Sequence, residues 1–77
     1  MVITFSGGKI IATLHELVVR LDGEYRVTLQ AQVDAIQLIG KGANVISANG
    51  SECKWSIKLD DEQQLREIAN EVGCDVL

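Results

Sequence analysis

From Tyr25 to Ala35 the chain alternates without a fault: Tyr25, Val27, Leu29, Ala31, Val33 and Ala35 are apolar, and Arg26, Thr28, Gln30, Gln32 and Asp34 are polar. A period of two held this long fits a half-buried β-strand and does not fit a helix. Just upstream, Asp22-Gly23 offers the positive φ values of a two-residue type I′ turn, so this strand reads as the return arm of an antiparallel hairpin. With that turn, Ile10, Ala12, Leu14 and Val18 fall opposite Ala35, Val33, Ala31 and Val27, and the apolar faces coincide. The match favours a strand over 9–21, although Ile10, Leu14, Leu17, Val18 and Leu21 also suit one face of a helix.

The same test extends the pattern in both directions. A turn at Gly7-Gly8 places Phe5 opposite Ile10 and Ile3 opposite Ala12, which adds an N-terminal strand to the same face. Gly40-Lys41-Gly42 breaks the pattern, and Asn49-Gly50 is a second type I′ signal. It sets Ile46 against Cys53 and Asn44 against Trp55, with Ile57 and Leu59 continuing the Trp55 side and Lys54, Ser56 and Lys58 facing away. After Leu59 the period becomes helical, since Leu65, Ile68, Ala69 and Val72 recur at i, i+3, i+4 and i+7. Asp60 or Asp61 can cap this helix, with Gln63 or Gln64 three residues on, and Gly73 stands where a left-handed residue ends helices. The expected fold is α+β: one domain over 1–77, a single-layer antiparallel five-stranded meander with one C-terminal helix packed on one face. Its strands are expected at about 2–5, 9–21, 24–38, 43–48 and 52–59, and its helix at about 61–72.

This register leaves Ile11, Leu17, Val19 and Leu21 on the face away from the helix, joined by Ile36 and Leu38 where the alternation changes phase. A single layer cannot bury both faces. Either the sheet curls to hide these residues or they form a partner or dimer interface. Two polar positions depart from the core pattern, with Glu16 opposite Leu29 and Arg20 opposite Tyr25. A buried carboxylate needs a partner, so Glu16 is expected at a bulge or rim, or paired with Arg20 or Arg26.

Charge narrows the function classes. Seven Lys and Arg stand against eleven Asp and Glu, a net −4, which lacks the basic footprint of a nucleic-acid binder. The imbalance is concentrated in residues 60–77, where Asp60, Asp61, Glu62, Glu67, Glu71 and Asp75 face Arg66 alone, a net −5. No apolar run is long enough for a membrane helix and the N-terminus lacks a basic signal region, so a cytoplasmic protein with reduced Cys53 and Cys74 is expected.

Chemistry-bearing motifs are weak. His15, the sole histidine, falls on the outer face, and a zinc site from His15, Cys53 and Cys74 would need a fourth ligand. Ser6-Gly7-Gly8-Lys9 has neither the glycine spacing of a P-loop nor a helix after it, and reads as a hairpin turn. Cys74 sits at the negative end of the helix, which opposes thiolate formation. Neither a catalytic residue nor a cofactor is expected.

The favoured reading is a small acidic module that binds another protein and is not an enzyme. One version is an inhibitor whose acidic helix, through Asp60, Asp61, Glu62, Glu67 and Glu71, occupies a basic and nucleic-acid-binding surface of its partner. Small size and acidity are shared with phage and mobile-element inhibitors of host defence, of the anti-CRISPR and anti-restriction kind, and equally with antitoxins and immunity proteins. A second reading is a small-ligand or enzymatic domain using a concave sheet near Glu16, Arg20 and Tyr25. A third is a structural homo-oligomer, such as a homodimer built through Leu17, Val19 and Leu21.

Overall fold

The computed structural model describes residues 1–50 and 54–77. They form seven strands and one α-helix: β1 (Val2–Phe5), β2 (Gly8–Ala12), β3 (Glu16–Leu21), β4 (Thr28–Gln32), β5 (Ile36–Ile39), β6 (Val45–Asn49), β7 (Lys54–Lys58) and α1 (Glu62–Val72). The class is α+β with antiparallel sheets and a C-terminal helix, as expected. The sheet is not a single five-stranded meander, because β1-β2-β3-β4 form one sheet and β5-β6-β7 a second.

Two interruptions divide the expected long strands. Thr13 breaks 9–21: its Oγ1 accepts from the backbone N–H groups of His15 and Glu16 and donates to the Glu16 carbonyl, a side-chain-stabilised turn. The second break is a 3-10 turn at Val33–Ala35, where the chain leaves the first sheet for the second.

The β3–β4 connection corrects the register. The Leu21 N–H donates to the Val27 carbonyl, and the loop between them carries Gly23 at φ 132° and Arg26 at φ 49°. Val19 therefore pairs with Leu29 and Leu17 with Ala31, an odd-numbered slip from a two-residue turn at Asp22-Gly23. An odd slip reverses both faces of a strand. Leu17 and Val19 point into the core, while Tyr25 (87% exposed) lies in the loop and Leu14 (72% exposed) at the β2–β3 turn.

The other two hairpins slip by even numbers and keep their faces. β1 meets β2 across a Ser6-Gly7 turn with Ile3 opposite Ile10, and both are buried. β6 meets β7 with Ile46 opposite Ile57 and Ala48 opposite Trp55, so Lys54, Ser56 and Lys58 do face outward. Cys53, expected opposite Ile46, lies outside the described residues.

The core joins both sheets and the helix through Ile10, Leu17, Val19, Leu38, Ile46, Leu59, Leu65 and Ile68, all essentially inaccessible. Three sheet edges are each met by another part of the chain. Gln64 Nε2 reaches the Thr4 carbonyl on β1, Val76 bridges β5 in parallel, and the Trp55 indole N–H donates to the Gln30 carbonyl on β4.

Candidate interaction surface

The helix begins as its sequence suggests. Asp61 is the N-cap and accepts from the Gln64 N–H at 3.0 Å, while Gln64 Oε1 accepts from the Asp60 N–H at 3.0 Å. Gly73 ends the helix at φ 78°.

These contacts sort the acidic residues into two groups. Asp60 accepts from both the hydroxyl and the backbone N–H of Ser6, tying the β1–β2 turn to the start of α1. The Ser6 hydroxyl first, then its N–H and the Gln64 amide, hold the Asp60 carboxyl below its ordinary range. Glu62 accepts from Arg66 Nε at 3.1 Å and from the Lys41 N–H at 3.3 Å, and Arg66 leads the causes that lower its pKa. Asp60, Asp61 and Glu62 are thus engaged in contacts within the chain, which narrows the surface expected to meet a partner.

Glu67 and Glu71 remain on the outer face of α1, with Asp75 beyond it. Glu67 is exposed, and Glu71 lies 3.8 Å from the N-terminal ammonium. Their position is locally unfavourable in two respects. As like charges at i and i+4 they repel by a few tenths of a kcal/mol. Glu71 also stands in the last turn of the helix, which carries no basic side chain, so that the N-terminal ammonium alone offsets its charge there.

The expected apolar interface does not exist as a surface. Leu17, Val19 and Leu38 are fully buried and Ile36 is 7% exposed, all within the core, and Leu21 packs against it. The physical reasons are the reversed faces of β3 and the placement of β5 in a second sheet over the same core. Of the six residues, Ile11 alone stands on the outer face, next to Val2 and Val18, which sequence reasoning did not select. For Val18 the signal was Thr13, whose turn reverses the parity of β3 relative to β2.

Glu16 and Arg20 are likewise on the outer face, opposite Gln32 and Thr28, and neither is buried. Glu16 Oε2 accepts from Gln30 Nε2 at 2.6 Å. With Tyr25 in an exposed loop, these three residues do not converge on a ligand cavity. Of the three, Glu16 lines a polar cleft of about 380 Å³ with His15, Gln32 and Asp34, and a second cleft of about 420 Å³ crosses the outer face of the second sheet, lined by Gln37, Ser47, Asn49, Lys54 and Ser56 among others. His15 is exposed, and among the described residues no three His, Cys, Asp or Glu side chains are grouped to hold a metal ion. No helix among them is long and apolar enough to cross a membrane.

No curated protein and no solved structure matches the chain. Residues 1–76 match the family model described as a protein of unknown function, DUF3389, and the chain belongs to that family.

Proposed function

We propose that this protein is a non-catalytic protein-binding module whose acidic helix face, centred on Glu67 and Glu71, docks onto a basic surface of another protein. The observation that carries the reading is the placement of these two carboxylates. The two like charges stand four residues apart on one helix face, and Glu71 lies in a last turn without a basic side chain, its charge offset only by the N-terminal ammonium 3.8 Å away, so the pair works against the monomer's own stability. Departures of this kind from local preference are expected where a surface serves binding. A cationic partner surface would relieve both penalties, and its long-range attraction would speed encounter.

The inhibitor version follows from the same chemistry. An acidic rod that covers a basic groove competes with the phosphate backbone for the same Lys and Arg side chains, so the natural target is a nucleic-acid-processing protein. Asp60, Asp61 and Glu62 set the helix in place, and Glu67, Glu71 and Asp75 make the contact.

The test compares wild type with Glu67→Lys/Glu71→Lys as immobilised bait. The substitutions leave the buried Leu65, Ile68, Ala69 and Val72 untouched, and circular dichroism checks that the variant keeps the fold. The reading expects a basic protein held by wild type, released by moderate salt, and lost by the variant. Retention of the same proteins by both baits refutes it.

A further inference from the structure

We propose that the outer face of the four-stranded sheet is the interface of a twofold homodimer, with the two copies packed face to face and the ends of their strands exchanged. The inference rests on the strand registers and is independent of the acidic helix.

Those registers arrange the outer face in three rows that run across the strands. The first holds Thr4, Lys9, Arg20 and Thr28; the second Val2, Ile11, Val18 and Gln30; the third Glu16 and Gln32. The rows are therefore basic, apolar and, through the one carboxylate of Glu16, acidic in turn, with Glu16 also accepting from Gln30 of the middle row. Lys9 and Arg20 stand directly opposite each other, an arrangement that destabilises an isolated sheet. Neither has a carboxylate within salt-bridge distance among the described residues.

This order makes the face its own complement, as an isologous contact requires. A twofold axis lying along the middle row, across the strands, lays Val2, Ile11 and Val18 of one copy on the same residues of the other. It also sets the basic row over the partner's acidic row, so that Arg20 meets Glu16. An axis along the strands would stack Lys9 and Arg20 on themselves, so charge selects between the two.

The exposed apolar side chains at the ends of the sheet fit the same exchange. Leu14 (72% exposed) sits at the β2–β3 turn by the acidic row, and Tyr25 (87%) and Val27 (44%) lie in the loop by the basic row. Exchanging ends places the Leu14 turn of one copy over the loop of the other. The helix and core lie on the opposite side of the sheet and need not move. Four strands about 4.8 Å apart and five residues of about 3.4 Å each give a face of roughly 19 by 17 Å. That is small for an interface, which places the dimer among weak, concentration-dependent associations.

Sedimentation equilibrium from about 5 μM to about 1 mM tests the proposal, with folding of each variant checked by circular dichroism. Wild type is expected to show a monomer–dimer equilibrium. Val18→Glu, in the centre of the apolar row, is expected to raise the dissociation constant at least about tenfold, in line with losses at the centre of an interface. Arg20→Glu and Glu16→Arg should each weaken the dimer, and the double variant Glu16→Arg/Arg20→Glu should recover most of the loss. Lys9→Glu, at an exposed position, serves as a second probe of the basic row and should weaken it as well. A chain that stays monomeric throughout overturns the proposal, as does a dimer indifferent to Val18→Glu. Tighter association of Arg20→Glu, or no recovery in the double variant, overturns the exchanged-end geometry.

Discussion

Gly8→Ala is the substitution that most sharply probes how β2 and β3 meet. Gly8 is buried at φ 152°, and a Cβ placed there would stand 2.0 Å from the Arg20 carbonyl oxygen and 3.0 Å from the Leu21 Cα, both backbone atoms of β3. Ordinary contact begins at 3.4 Å, so β3 would have to retreat by about 1.4 Å, the difference from 2.0 Å. Backbone hydrogen bonds of normal length do not survive a retreat of that size. The backbone conformation itself costs about 1–3 kcal/mol for a residue with a side chain. Two lost ladder bonds add about 1–3 kcal/mol, at 0.5–1.5 kcal/mol each.

The expected loss is therefore about 2–6 kcal/mol, against a total of about 4–12 kcal/mol for a chain of this length. Gly23→Ala is the control. Gly23 has φ 132° with nothing within 4 Å of its added Cβ, so it incurs the conformational cost without the collision. Urea unfolding followed by fluorescence of Trp55, the sole tryptophan, reads both variants. Gly8→Ala should lose about 1–3 kcal/mol more than Gly23→Ala, that is, the ladder bonds broken by the collision. Equal losses would mean that β3 does not approach Gly8, and the β2–β3 register would fall with it.

Other perturbations address separate parts of the molecule. Leu17→Ala should cost about 2–5 kcal/mol in urea unfolding because the side chain is fully buried, whereas Val18→Ala, half-exposed on the other face, should cost under about 1 kcal/mol. Asn44→Gly should raise stability by about 1 kcal/mol, since Asn44 holds φ 55° and its buried Oδ1 has no partner among the described residues. Asp60 has its pKa lowered in the folded state, so its contribution is present above its unfolded value near 3.8 and is lost as pH falls through the folded value. Asp60→Asn should therefore flatten the acid limb of the stability curve measured between pH 5 and pH 2, while wild type falls more steeply.

The helix was legible almost to the residue because each of its determinants is local: the apolar spacing of Leu65, Ile68, Ala69 and Val72, the Asp61 cap and the Gly73 stop. Strand composition was legible too, and the inward faces of β1, β2, β6 and β7 follow directly from alternation. Loop length was not legible. Asp22-Gly23 is a sound two-residue turn signal, yet the chain spends a longer loop there, with Arg26 in a left-handed conformation, and the parity of β3 reverses. Alternation is blind to this, because a strand shifted by an odd number presents an equally regular pattern with its faces exchanged. The division into two sheets was hidden for a related reason. The turn at Val33–Ala35 preserves an alternating sequence while the backbone changes direction. For the surfaces, the acidic helix was visible in the charge distribution, but which carboxylates are occupied by Ser6, Arg66 and the Lys41 amide depends on contacts between distant parts of the chain.

The face presented by β3 decides the account, since it places Leu17 and Val19 in the core and leaves Val18, Glu16 and Arg20 outside. Cross-strand nuclear Overhauser contacts in the isotope-labelled protein measure it directly. The structure predicts backbone contacts joining Val19 to Leu29 and Leu17 to Ala31. Contacts joining Val18 to Val27 and Leu14 to Ala31 would restore the two-residue turn, return Leu17 and Val19 to the surface, and contradict the account.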